Sequence, residues 1–329
     1  VTIIPIEAVS AVQYMSSWPW HWAKPMKHLM ENGSISTYGL LAVYLIIVIF
    51  SLLNYWSVKL LTSFTSLISV FKLGVPMLTI IMLMLSGFDT SNYGHSASTF
   101  MPYGSAPIFA ATTASGIIFS FNSFQTIINM GSEIKNPEKN IARGIAISLS
   151  ISAVLYIILQ STFITSMPQS MLQHSGWNGI NFNSPFADLA ILLGINWLAI
   201  LLYIEAFVSP FGTGVSFVAV TGRVLRAMEK NGHIPKFLGK MNEKYHIPRV
   251  AIIFNAIISM IMVTLFRDWG TLAAVISTAT LVAYLTGPTT VIALRKMGPT
   301  MTRPFRAKIL KVMAPLSFVL ASLAIYWAM

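Results

Sequence analysis

The sequence predicts an all-α integral membrane protein, and three observations carry that prediction. Only 9% of the 329 residues are charged while 55% are hydrophobic, whereas a soluble domain carries about 25% charged residues. Mean hydropathy is +0.71. No Lys or Arg occurs between Lys72 and Lys135, or between Arg143 and Arg223, and no solvated surface tolerates gaps of that length. A bilayer core of about 30 Å needs about 20 apolar residues per helix, so these stretches read as spans. Length alone suggests roughly two domains, but one embedded unit over 1–329 fits the composition better. The absence of cysteine excludes disulfide frameworks, thiolate catalysis and Cys-ligated metals.

Taken in order, the apolar runs cover 1–17, 36–54, 62–86, 107–131, 144–167, 195–222, 249–266, 271–294 and 308–328, which is about nine crossings. The first opens at Val1 with neither an initiator Met nor a signal-peptide head, and it already contains an acid, Glu7. It is expected to be cut short, with earlier helices missing. Most of the other runs are plain Leu, Ile and Val. Three are not: 62–86, 107–131 and 195–222 carry polar or helix-distorting residues at depth.

The basic residues explain the pI of about 9.9 without nucleic acid. Seventeen of the 21 fall in loops on one side of the predicted spans, from Lys59 through the 135–143, 223–249 and 295–311 clusters, against Lys24, Lys27 and Arg267 on the other. By the positive-inside rule the basic loops are expected to be cytoplasmic. They also suit acidic lipid heads, although topology accounts for them first.

Lys72 belongs to neither side. It lies ten residues from one end of span 62–86 and fourteen from the other, roughly 15 and 21 Å at helical rise, which is far for a side chain to snorkel. An ammonium there must be paired, touch carbonyls, or sit neutral.

In 107–131, small residues from Ala110 to Gly116 precede Phe119-Ser120-Phe121-Asn122-Ser123-Phe124-Gln125. Polar groups at mid-bilayer are costly unless they line a wet cavity or pack against other helices. Either the helix breaks there, aiming backbone carbonyls and amides at a ligand, or it runs unbroken and bonds to its neighbours. In 195–222, Glu205 is intramembrane, and Ser209-Pro210-Phe211-Gly212-Thr213-Gly214 sets a proline beside small hydroxyl residues. Pro210 frees a carbonyl one turn back, while the Gly-x-Gly spacing equally suits close helix packing.

These residues carry a family likeness. Phe119-Ser120-Phe121-x-Ser123-Phe124-Gln125 followed by Gly131-Ser132-Glu133-Ile134-Lys135-Asn136-Pro137-Glu138-Lys139-Asn140-Ile141 resembles the sixth helix and cytoplasmic exit of the amino acid–polyamine–organocation (APC) permeases. Ser209-Pro210-x-Gly212-Thr213-Gly214, with Arg223-Val224-x-Arg226-Ala227-Met228 and Asn231-Gly232-x-x-Pro235-Lys236, is similar to the eighth helix and its loop. Leu294-Arg295 with Arg303-Pro304-Phe305-Arg306 resembles the tenth-to-eleventh connection.

The resemblance implies the five-plus-five inverted-repeat, leucine-transporter-like fold, with substrate held at mid-membrane between broken helices. Counted that way, the chain begins in the third helix and ends in the eleventh, without the glycine-rich first helix that takes the substrate carboxylate. It further implies substrate contacts at Phe119, Ser120, Phe121, Asn122, Ser123 and Gln125, and coupling at Lys72, Glu205, Ser209 and Thr213. In proton-coupled relatives a lysine like Lys72 stands where others hold sodium, so its protonation biases the outward–inward equilibrium. Two departures matter. Many relatives have glutamate where Gln125 stands and glycine where Ser123 stands, which puts a proton-carrying role for Gln125 in doubt. Phe119 is either an aromatic gate or a core ring. Glu205 suits ammonium pairing, proton transfer or an interhelical bond, and Glu7 is open in the same way.

The leading expectation is a secondary active transporter of an amino acid or related amine in the cytoplasmic membrane, coupled to protons, with no cofactor and no catalytic residue. An exchanger and a binding-only nutrient sensor on the same fold are the alternatives. A membrane enzyme lacks ligands: the six His fall in predicted loops and form no His-x-x-x-His pair in a span. Nor is a channel supported, because no charge ring or repeated filter is visible.

Overall fold

The computed structural model describes residues 2–56, 58–129, 131, 134–180, 182, 184–242, 247–301, 303 and 309–327. Each of the nine apolar runs contains helix. The helices are α1 (Ile3–Ser16), α2 (Thr37–Trp56), α3 (Val58–Ser86), α4 (Ala106–Ala114), α5 (Pro137–Ser166), α6 (Asn196–Lys230), α7 (Arg249–Leu265), α8 (Trp269–Met297) and α9 (Leu310–Tyr326). Among the described residues, five of them, α2, α3, α5, α6 and α8, are long and apolar enough to cross a membrane, and α7 and α9 are shorter apolar helices.

α2 displays the physics of a lipid-facing helix. Leu40, Val43, Ile47 and Phe50 turn inward and are buried, while Leu41, Leu45, Val48 and Leu52 form an exposed stripe on the opposite side. A helix in water would carry polar residues on that second face. In a bilayer the apolar stripe is the solvated one, and the backbone satisfies its own hydrogen bonds.

The chain divides into two compact units, Val1–Phe100 with Val154–Trp269, and Met101–Ala153 with Gly270–Met329. In the first, α1 is buried nearly all round through Ile4, Ile6, Ala8, Val9, Ala11 and Val12 and packs against α2, α6 and α7. Two contacts pin α2 to α7: the Tyr44 hydroxyl lies 2.5 Å from Thr264 Oγ1, and the Arg249 guanidinium sits 4.1 Å over the Tyr55 ring. At one end a hydrophobic cluster of Leu83, Met167, Leu189, Leu198 and Tyr203 is walled by Trp18 and Trp20. There Asn92 Nδ2 donates to the Ile164 and Met167 carbonyls at 2.8 and 2.9 Å, satisfying groups that the end of α5 leaves open. A two-residue hairpin precedes α2. Strands β1 (Met30–Glu31) and β2 (Ser34–Ile35) pair antiparallel across Asn32 and Gly33, both at positive φ, as a tight hairpin turn requires.

α6 carries the proline motif. The motif Ser209 to Gly214 does not interrupt the helix, which runs continuously for 35 residues with Pro210 inside it. The glycines serve close packing instead. A Cβ on Gly214 would fall 2.1 Å from the Phe50 ring, and one on Gly212 would fall 2.7 Å from Ile68.

In the second unit the first of the two alternatives for 107–131 holds, and the helix breaks. α4 ends at Ala114 and Gly116 takes a left-handed φ of 74°, which glycine adopts without steric penalty. The chain then continues as short turns, Ile117–Ser120, Asn122–Gln125 and Thr126–Asn129. Phe109 stacks on Trp327 at 4.2 Å, tying α4 to α9, and Phe124 meets Tyr284 of α8 at 5.6 Å.

Candidate functional site

The coupling residues sit on helices of the first unit. Glu205, Ser209 and Thr213 are spaced by four on α6 and share one face. Lys72, half-buried on α3, donates from Nζ to Thr213 Oγ1, and Thr213 in turn donates to the Ser209 carbonyl at 3.1 Å. Glu205 lies one turn before Ser209 on the same face of α6. Lys72 thus meets the face of α6 that carries Thr213, Ser209 and Glu205. Thr213 is well suited to that contact, because a hydroxyl accepts from one partner while donating to another.

Lys72 also feels the charge of Glu7 on α1 as well as that of Glu205. Tyr14, two turns beyond Glu7 on α1, lies within electrostatic reach of both carboxyls. Lys72 on α3 is thus within electrostatic reach of one acid on α1 and one on α6, and charged groups inside a membrane survive only when they are grouped. Sequence reasoning marked Glu7 as intramembrane but did not assign it to the site. The available signal was the pair Glu7 and Tyr14, seven residues apart and so on one face of the helix.

The substrate-contact residues lie in the second unit. Asn122 is buried, at 9% exposed, although its amide sits within the broken stretch. Phe119 and Phe121 are half-buried, and Ser120 is exposed. The Ser120 hydroxyl bonds back to the Gly116 carbonyl at 3.0 Å, and the Phe121 N–H donates to the Ile118 carbonyl at 3.2 Å. The side chains of Ser123 and Gln125, and the whole of Ser132 and Glu133, lie outside the described residues. What the break supplies is local: the end of α4 leaves carbonyls, and the start of the next turn leaves N–H groups, without helical partners.

Comparison with known proteins identifies the family. The family model described as amino acid permease matches residues 1–329. The chain is 49% identical over 328 residues to the glutamate/serine transporter AimA of Bacillus subtilis strain 168, covering 100% of this chain and 60% of that protein. It is 32% identical over 329 residues to the aspartate-proton symporter of the same organism, covering 99% of this chain and 62% of the relative. Against the branched-chain amino acid permease BcaP, also from Bacillus subtilis, identity is 30% over 214 residues, covering 64% of this chain and 43% of that one. The chain thus spans about 60% of the length of the first two relatives. These relatives and their family are transporters and not enzymes. The fold is the all-α, multi-pass, five-plus-five inverted-repeat class of the APC superfamily, and the chain belongs to the amino acid permease family.

Proposed function

We propose that residues 1–329 act as a single transporter domain for secondary active transport of an amino acid across the cell membrane, with the basic loops cytoplasmic. The substrate is a small acidic or hydroxyl amino acid, a class suggested by the two relatives named for glutamate, serine and aspartate. Its ammonium group meets the backbone carbonyls opened where α4 ends, beside Phe119, Ser120, Phe121 and Asn122. Ser123 and Gln125 belong to the turn Asn122–Gln125 that follows.

Transport is coupled to protons through Lys72. The observation that carries this reading is the contact of Lys72 on α3 with Thr213, on the face of α6 that also holds Ser209 and Glu205. When Lys72 changes protonation, the charge shared between α1, α3 and α6 changes by one unit. The conformation that better solvates or pairs the ammonium is then favoured, at about 1.4 kcal/mol for each pH unit by which the two states differ in proton affinity.

The test is uptake of radiolabelled glutamate, aspartate and serine by the full-length protein in proteoliposomes, with and without an inward pH gradient. Accumulation against a concentration gradient that collapses with the pH gradient, and that Lys72→Met abolishes, supports proton symport. Uptake that needs internal amino acid and ignores pH means exchange, and binding without uptake means a sensor. Full pH-driven accumulation by Lys72→Met refutes the coupling role.

A further inference from the structure

α7 has a polar centre that the transport reading does not use. Ala251, Asn255, Ser259 and Val263 recur every four residues and are each 0% exposed, so they form the inner stripe of the helix. That stripe faces α1, α2 and α6, the helices against which α7 packs. Asn255 lies six residues from Arg249 and Ser259 five from Thr264, the two residues that pin α7 to α2. The polar pair is thus about 9 and 7.5 Å inside those pins at helical rise.

Asn255 Nδ2, Asn255 Oδ1 and Ser259 Oγ are buried and have no hydrogen-bond partner among the described residues. Several polar side chains of the adjoining helices bond within their own or a neighbouring helix. Ser10 donates to the Ile6 carbonyl at 2.9 Å, Ser51 to Ile47 at 2.8 Å, and Thr221 to Phe217 at 2.7 Å. Asn54 Nδ2 is shared between the Phe50 and Val215 carbonyls. A buried amide with both ends unpaired is costly, so three orphaned polar atoms on one stripe point to a ligand.

We propose that Asn255 and Ser259 bind a single water molecule inside the packing of α1, α2, α6 and α7. Side chains four apart on a helix have Cβ atoms about 5–6 Å apart, a gap that two hydrogen bonds of about 2.8 Å meeting at one oxygen can bridge. Water accepts from Nδ2 or donates to Oδ1 and still reaches the serine hydroxyl, which suits a site with both a donor and acceptors. A metal cation does not fit, since the amide N–H₂ repels it and only two side-chain oxygens remain, where hard cations take about six. Buried waters of this kind hold otherwise unpaired groups.

The experiment is a thermal-unfolding cycle on the full-length protein in detergent, using Asn255→Leu, Ser259→Ala and the double variant. It is read together with a structure at a resolution that reveals ordered water. With a shared water, Asn255→Leu lowers Tm by about 4 °C or more, and the double variant falls no further than Asn255→Leu alone, because the water leaves with the first substitution. Density for one oxygen within hydrogen-bond reach of both side chains completes the case. If Asn255→Leu yields no folded protein, Asn255→Thr takes its place in the cycle. The proposal is overturned by an unchanged or raised Tm, by strictly additive losses, by a dry contact in the density, or by a Tm that rises when sodium replaces choline.

Discussion

Substituting alanine for individual glycines turns the close packing of α6 into a graded measurement. At Gly214 the new Cβ falls 2.1 Å from Phe50 Cε2 and 2.6 Å from two further ring atoms. Phe50 is 0% exposed and is held edge-on to Phe211 at 4.9 Å, so the ring has nowhere to go. Overpacking of a filled core costs about 1–3 kcal/mol, and this geometry calls for the upper end, about 3 kcal/mol. At about 2–4 °C per kcal/mol, Gly214→Ala lowers Tm by about 6–12 °C. Gly212→Ala meets the methyl ends of Ile68 at 2.7 and 2.8 Å, which can shift rotamer, so about 1–2 kcal/mol is expected. Gly222→Ala, 3.2 Å from the Pro248 ring, falls within about 1 kcal/mol of neutral. Gly74→Ala meets nothing within 4 Å and gains the helix preference of alanine, about 0.5–1 kcal/mol of stabilisation. The assay is thermal unfolding of each purified variant, with Phe50→Leu added to Gly214→Ala as a rescue. The reasoning is refuted if Gly214→Ala is as stable as the parent, if the order of the four is not kept, or if Phe50→Leu fails to recover part of the loss.

Two predictions concern the loop after α3. Asp89 accepts from the Ser91 N–H at 2.9 Å and from Gln169 at 3.4 Å, and these bonds hold its carboxyl below the ordinary value of 3.8. Because the folded form binds the proton less well, this stabilisation is fully present above pH 3.8 and is lost as pH falls through the lower folded value. Melting curves of Asp89→Asn are therefore expected to be flatter than the parent below pH 3.8, and identical slopes refute the role. Asn92→Ala unpairs the Ile164 and Met167 carbonyls and is expected to cost about 1–3 kcal/mol. Protease nicking of the 87–100 loop should rise in the same variant, and an unchanged cleavage rate counts against the assignment.

The spans were legible from residues 1–329 because the bilayer makes secondary structure a local matter. A segment that is apolar for about 20 residues and must satisfy its own backbone becomes a helix wherever it packs. In 107–131 the sequence left a broken and a continuous helix both open, and the structure opens the helix after Ala114, where Gly116 takes a left-handed φ. Local chemistry could not decide continuity at Pro210. A proline costs a helix one bond, and whether the chain bends or breaks depends on the neighbours, here Phe50 and Ile68 against the glycines that follow. Lys72 stood out alone as a cation stranded between the ends of its span. Its company of Thr213, Glu205 and Glu7 comes from helices up to about 200 residues apart in the sequence, and spacing within one helix carries no information about which faces meet. Asn255 and Ser259 passed unnoticed in an ordinary apolar run, because burial is a property of the assembled helices and not of the segment. Sequence alone therefore determined that this chain is a set of membrane helices with polar residues at depth. Tertiary packing decided which of those residues find one another, since only the fold excludes lipid and water from around them.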